Sequence, residues 1–497
     1  MVMNGSVEVN VEQLHGQLDK MVAFVSQAAS KKKSAYDVEH KLFQSVLELG
    51  RQLFGVFLQS VGDGDLGAKV ILEEERTLHR HEQPHRRRLL TVFGEFFLDR
   101  CVYSTGNHQP IELIPVDQQL QLPESDVSYL LQEWDQLMNL ETAFGKTRDT
   151  LETILRIRQS VDTLECGSRQ LAGAAEAFFE QQPVVDRAEE GKFLVVTEDN
   201  KGIPMVRPQT DPLPAGHRTK GQKKNKKQMA CVGCVYSVDP HIRTAEELVT
   251  TLFREPDRPQ DKPPEAQSKR YRVSLTRDVN GVTVRGQTEV FEFLSSEVNS
   301  RRRQRQILIH LSDGQASLET DRLEFLPCDA RTIDILDLMH VLPRLWEAAH
   351  LFEREGSSGA SNFVKQLLLK MLSGGAKSMI ADLRRRSTRT KLRGKKRETL
   401  DQLTSYLEHN LYRMKYDEYL GTGYPIATGV IEGACRHLVK DRMERSGMRW
   451  KIPGAQAMLT LRAIHASGDW EQFLTFRMKH ETKRLYPNQL NKIHALT

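Results

Sequence analysis

Nowhere do the 497 residues contain an uncharged apolar run of about 18, the length that crosses a bilayer as a helix. Residues 1–10 also lack the charged-then-apolar layout of a secretory signal. Neither a membrane partner nor secretion is therefore expected. Cysteine is scarce, with only Cys101, Cys166, Cys231, Cys234, Cys328 and Cys435 in the chain. So few fit small buried residues in a reducing cytoplasm better than a disulfide scaffold. Cys231 and Cys234 form a lone CxxC without the second pair that a zinc ribbon needs, and read as core residues. Walker loops and GxGxxG fingerprints are missing too, so no nucleotide cofactor is expected.

A large excess of one charge is also lacking, since 71 Lys and Arg against 66 Asp and Glu leave only +5. The distribution is more telling. Basic runs occupy 86–88, 217–227 (HRTKGQKKNKK), 301–305 (RRRQR) and 384–397 (RRRSTRTKLRGKKR). The last holds nine Lys or Arg in fourteen positions with no carboxylate among them, a local potential suited to phosphate backbones.

The length is about three times a typical domain, so two or three domains are expected. Apolar residues recur every three or four positions over 11–60, which predicts two amphipathic helices. Residues 89–103 (LLTVFGEFFLDRCVY) switch to alternation and predict a strand pair, closed by a turn at 104–107. Helix returns over 126–180, with breaks near 139–145 and 166–169; it reads equally as a helix-turn-helix or as a packing scaffold. A polar stretch at 181–191 marks a domain boundary. Beyond it, short strands at 193–197, 203–207 and 229–237 predict an antiparallel meander, with 208–227 as a loop. Further strands are expected at 307–311 and 332–336. Helices are expected at 244–253, 288–303 and 338–352, over 362–414 with interruption by the basic run, and at 429–443 and 454–462.

Three acids stand out by position. Asp199 ends one predicted strand, Asp313 ends another, and Glu432 lies in the first turn of a helix that Thr428 would cap. Converging carboxylates bind hard divalent cations, and two such ions can activate an attacking oxygen and stabilise a leaving one in phosphodiester displacement. Each acid also has a plainer role open to it: an Asp before Gly is a common turn residue, and a Glu in a first helical turn complements the helix dipole. On the helix at Glu432, Ile431, Ala434, Cys435, Leu438 and Val439 form one apolar stripe. Glu432, Arg436 and Lys440 share the other face, either to grip a DNA backbone or as an exposed ion-paired surface. Arg442, Arg445, Arg449 and Trp450 continue the basic stretch, where Trp450 can stack on an unpaired base or pack in a core.

The segments LVVTEDNKGIPM, ILIHLSDG, DILDLMHVLPRLWEAA and GYPIATGVIEGACRHLVKDRMERSGMRW resemble, in order and spacing, the DDE transposases of bacterial insertion sequences, above all those with a Mutator-like, RNase H-like catalytic domain. The resemblance covers about 85–465. It implies an α/β (α+β overall) architecture: a mainly helical DNA-end-binding region over 1–180, an RNase H-like mixed-sheet domain over 190–470 with a helical insertion at about 355–420, and a tail over 471–497. It implies that Asp199, Asp313 and Glu432 hold two Mg²⁺ (or Mn²⁺) ions, with Asp337 and His340 as a supporting DxxH element. Strand neighbours face opposite ways, so only one of Glu198 and Asp199 can meet the metals, and Asp199 is the choice. Asn200 stands where the family has Gly and would tolerate a left-handed turn. Expected DNA contacts are Arg436, Lys440, Arg442, Arg445, Arg449, Trp450, Lys223, Lys224, Lys226, Lys227, Arg384, Arg385 and Arg386. The implied activity is cleavage at terminal inverted repeats of double-stranded DNA and transfer of 3′-hydroxyl ends to target DNA, by a homodimer or higher oligomer in the nucleoid-associated cytoplasm. The alternatives are a transposase-derived DNA-binding protein without strand transfer, or an RNase H-like nuclease.

Overall fold

The computed structural model describes residues 11–72, 76–106, 108–206, 227–260, 262–427, 429–445, 447–487 and 494–496. Lys223, Lys224, Lys226 and Thr428 lie outside them, as does most of the 208–227 segment. The chain divides into two compact units, Met1–Phe178 with Glu471–Thr497, and Phe179–Trp470. The 471–497 stretch, expected as a tail, thus belongs with the N-terminal unit. No helix among the described residues is long and apolar enough to cross a membrane.

The first unit begins with the two expected helices, α1 (Val11–Ser30) and α2 (Ala35–Val61), which pack on each other. The Ser34 hydroxyl caps α2 by accepting from the Asp37 N–H. Short strands β1 (Lys69–Ile71) and β2 (Thr77–Arg80) precede a hairpin of β3 (His85–Thr91) and β4 (Gly94–Arg100), and β5 (Tyr103–Ser104) pairs with β2. The hairpin turns at 92–93, so Arg86, Arg87 and Arg88 are strand residues and the predicted pair begins four residues early. After α3 (Pro115–Gln119) come α4 (Tyr129–Glu141), α5 (Phe144–Leu155), α6 (Val161–Ala172) and α7 (Ala175–Gln181). The first predicted break falls between α4 and α5. The second does not: 166–169 lies inside α6, and the chain breaks at 156–160 instead. Ser168 is buried there and donates to Gln136 Oε1 at 2.6 Å, so a polar residue read as a breaker is core. In the same buried layer Gln159 donates to Asp135 Oδ1 at 2.7 Å.

The second unit is α+β, built on a mixed five-stranded sheet. Its strands are β6 (Phe193–Pro204), β7 (Lys227–Val238), β8 (Gln267–Leu275), β11 (Ile307–Ser312) and β12 (Thr332–Leu336), in the order β12-β11-β6-β7-β8. α8 (Ala245–Leu252) follows β7; a small ribbon of β9 (Arg277–Val279) and β10 (Val282–Val284) follows β8. The meander β6-β7-β8 is antiparallel, whereas β11 and β12 run parallel to β6. Two expectations are corrected. The predicted strands at 193–197 and 203–207 are one strand, because Asn200, Lys201 and Gly202 pair with Cys231, Ala230 and Met229. Asn200 is thus extended backbone and not a left-handed turn. The third meander strand is β8, which charge at Lys269 and Arg270 hid from an apolar-run reading.

Helices α9 (Gly286–Arg301) and α10 (Ala316–Phe325) cover one face of this sheet, where Leu194, Val196, Val235, Phe291, Leu294 and Leu308 form a fully buried core. Cys231 and Cys234 are buried in β7. Beyond β12 run α11 (Leu338–His350), α12 (Ser358–Lys370), α13 (Ala376–Arg389), α14 (Gly394–His409) and α15 (Tyr416–Thr422). This insertion is tied to the strand ends: Tyr406 donates to the Asp313 carbonyl at 2.7 Å and Tyr416 to the Leu336 carbonyl at 2.8 Å. α16 (Gly429–Ala434), α17 (Asp441–Met443) and α18 (Ile452–Ala466) close the unit. Helix α19 (Trp470–Leu485) and β13 (His494–Leu496), which pairs with β1, follow.

Candidate functional site

The strand pairing sorts Glu198 from Asp199. Side chains alternate across a strand, so Glu198 shares the face of Leu194 and Val196, while Asp199 looks the other way. Glu198 is 1% exposed, and both of its oxygens meet His310 Nε2, at 2.9 and 3.1 Å. The other nitrogen of His310 lies 3.0 Å from Asp334 Oδ1, and Arg322 donates to Asp334 Oδ2 at 2.7 Å. One chain of charges therefore runs beneath β6, β11 and β12. Burial opposes a charged ring at His310, but Glu198 and Asp334 outweigh it and the pKa is pushed up to about 9. Of this chain only Glu198 was named from the sequence, as the alternative to Asp199, and neither His310 nor Asp334 was singled out. The available signal was a histidine at an alternate position of an otherwise apolar strand, ILIHLS.

On the opposite face, Asp199 and Asp313 sit on the adjacent strand β6 and the end of its parallel neighbour β11. Burial pushes the Asp313 pKa up, as do the carboxylates of Asp199 and Glu198, against the Gln315 N–H and the His340 ring, which pull it down. The two aspartates are thus electrostatic neighbours, with His340 beside them. Asp313 also serves its turn. Its Oδ1 accepts from the Gln315 N–H at 2.7 Å, and Gly314 follows at φ +75°, where an added Cβ would come within 2.7 Å of Asn410 Oδ1.

Asp337 is buried and caps α11 by accepting from the Met339 N–H at 2.8 Å, and its own N–H donates to the Ser312 carbonyl at 2.8 Å. It therefore links the ends of β11 and β12 to the helix that carries His340.

Glu432 is exposed on α16, one turn before Cys435, whose thiol donates to Asp199 Oδ2 at 3.3 Å. Burial and the Asp199 charge raise the Cys435 pKa, so it stays a thiol. The stripe Ile431, Ala434, Cys435, Leu438 and Val439 is buried as its spacing predicted. Directly after Glu432 the helix widens into a π turn over Cys435–Lys440. Arg462 of α18 donates to the carbonyls of His437 and, at 2.9 Å, Leu438 within it. Such bulges recur at functional sites. Glu432 also borders a cleft of about 750 Å³ whose wall includes Met339, Leu342, Pro343 and Trp346 of α11. The third acid is therefore anchored beside both the Asp199 strand and the His340 helix. Among the described residues, however, no three His, Cys, Asp or Glu are grouped closely enough to hold a metal ion.

The predicted DNA contacts among the described residues separate into three groups. Arg436, Lys440, Arg445 and Arg449 are exposed, with His437 and Arg436 facing Asp441 at 3.1 and 4.0 Å. Trp450 and Arg442 are corrections. Trp450 is 5% exposed, its indole donates to the Met443 carbonyl at 3.2 Å, and its backbone pairs with Pro204 and Val206, so its ring cannot stack on a base. Arg442 is fully buried, 4.9 Å from the Trp450 ring. The basic run at 384–397 is less bare than its composition implies. Arg384 pairs with Glu408, Arg385 with Asp382, Arg386 with Glu353 and Arg397 with Asp401. Arg386 also covers the Phe363 ring at 4.2 Å. Lys227 pairs with Glu444.

No family model matches this chain, and no curated relative matches it either.

Proposed function

We propose that the protein is a DDE-type DNA transposase that cuts double-stranded DNA at inverted-repeat ends and joins the freed 3′-hydroxyls to a target. The observation that carries this reading is the placement of Asp199 on β6 and Asp313 at the end of its parallel neighbour β11, on one face of the sheet, where the Asp199 charge helps to raise the Asp313 pKa. A neighbouring carboxylate raises the proton affinity of Asp313, and a hard divalent cation would relieve that repulsion. A central β6 flanked by an antiparallel meander on one side and two parallel strands on the other supports an RNase H-like assignment.

In this reading Asp199, Asp313 and Glu432 would hold Mg²⁺ or Mn²⁺, which supplies Lewis-acid activation of the attacking and leaving oxygens. The chain's own contribution is positional. The charge chain under the sheet holds the strands in register, Asp337 holds α11 against the strand ends, and Cys435 orients the Asp199 carboxylate. Arg436, Lys440, Arg445 and Arg449 neutralise backbone phosphates beside the site, so binding should weaken steeply with salt. Double-stranded DNA as the partner and a nucleoid-associated place in the cytoplasm follow from that same proposal.

The absence of a three-donor cluster among the described residues favours a second reading, a transposase-derived DNA-binding protein that keeps the fold as a scaffold. One assay separates the two: purified protein, labelled element ends, a target plasmid and Mg²⁺ or Mn²⁺. The transposase yields metal-dependent joined products, and Asp313→Asn binds the ends without nicking them. Equal cleavage by parent and variant would overturn the assignment, cleavage without joining would point to a nuclease, and binding alone would leave the scaffold reading.

A further inference from the structure

The helical hairpin of the first unit leaves much of its apolar surface uncovered. In α1 the covered row is Leu14, Gln17, Met21, Phe24 and Ala28. One residue further round the helix, Leu18, Val22 and Val25 form a second row, 43–59% exposed. In α2 the uncovered row is Phe43, Val46, Leu53 and Phe57, between 43% and 53% exposed. Both rows step by alternating threes and fours, the spacing at which one helix offers knobs to the holes of another. The α2 row would read Phe43, Val46, Gly50, Leu53, Phe57. Its glycine is filled from outside: the Phe93 ring, itself 37% exposed, sits where a Gly50 Cβ would come within 2.6 Å of it.

Size and charge identify the occupant. These side chains leave about half of a surface of roughly 150–200 Å² each in water, so about 650 Å² of apolar area per chain summed over the two rows. Two such patches face to face amount to about 1,300 Å², within the range of stable interfaces. The helices themselves do not suit a polyanion. In α1, Glu12 and Asp19 outnumber Lys20; in α2, Asp37, Glu39 and Glu48 outnumber Lys41 and Arg51, so each helix carries a net charge of −1. Cations gather only at the turn, Lys31–Lys33. A twofold interface sets the same surface of both copies together, so an apolar row on each of two packed helices would meet its apolar counterpart.

We infer that the α1–α2 hairpin docks against the same hairpin of a second copy of this chain, through the rows containing Leu18, Val22, Val25, Phe43, Val46 and Leu53. This does not depend on the proposed catalytic function. Sedimentation equilibrium of the full chain at micromolar concentration should give twice the 56.9 kDa chain mass. The double variant Val22→Glu/Val46→Glu should sediment as a monomer with an unchanged helical circular dichroism spectrum. Where the charges perturb the helices, Val46→Ser should still raise the dimer dissociation constant at least tenfold, and Val46→Ile should leave it in place. A parent chain that stays monomeric, or a charged variant that stays dimeric, would overturn the inference. So would a monomeric parent that pellets with phosphatidylcholine vesicles, which would assign the rows to a lipid surface.

Discussion

His310 Nε2 lies 2.9 Å from Glu198 Oε1, on the face of the sheet turned away from Asp199. Glu198 and Asp334 raise the His310 pKa against the effect of burial, so its contribution to stability is complete below the unfolded value of about 6.5 and is lost as pH rises through about 9. The second unit should therefore melt at progressively lower temperature between pH 6.5 and 9. His310→Ala should cost about 3–5 kcal/mol at pH 7, because it strands Glu198 without its cation. Thermal melts of parent and variant across that range check both statements; a flat parent profile would contradict them.

Relief of carboxylate repulsion has a readout that needs no DNA. Mn²⁺ at a hundred times its dissociation constant should stabilise the parent by about 2.7 kcal/mol, which moves the melting temperature by about 5–10 °C. Asp199→Asn and Asp313→Asn should lose that shift and melt no earlier than the parent without metal. Equal shifts in all three proteins would place the ion elsewhere.

Trp450 and Arg436 should fail in different ways. Trp450→Ala empties a buried site and should cost about 3–5 kcal/mol in denaturant titration. Arg436→Ala with Lys440→Ala should leave stability unchanged and reduce the slope of log affinity against log salt by about 2. Filter binding over a salt series distinguishes them.

Asp135 is 3% exposed, and burial lifts its pKa to about 7 despite the Gln159 hydrogen bond. A raised carboxylate pKa favours the fold at low pH, and that contribution disappears as pH rises through about 7. Asp135→Asn should therefore stabilise the first unit by about 1–3 kcal/mol at pH 8 and change little at pH 4. An unchanged melting curve at pH 8 would count against a protonated Asp135.

Much of this was readable in advance. Apolar-rich runs at 307–311 and 332–336, each broken by one titratable residue, His310 or Asp334, read as strands, and the DG step at Asp313 is a common turn signal. Pairing between distant segments was hidden. Asn200, Lys201 and Gly202 look like a turn and become strand because β7 lies alongside. Trp450 follows a row of arginines and so looks like surface, yet it bonds across to Pro204. Cys435 was read only as part of an apolar stripe, since nothing local shows that Asp199 lies against it. Asp313 and Glu432 were visible for the opposite reason, at the end of β11 and in the first turn of α16, whereas Asp199, expected at a strand end, lies inside β6.

The ionic ladder from Glu198 through His310 to Asp334 also acts as a proofreader of alignment. Were β6 to slide by a single residue against β11, Asp199 would be carried into the hydrophobic interior and Glu198 out towards water. The histidine would then face an empty position, and the misaligned sheet would be penalised before any substrate arrived.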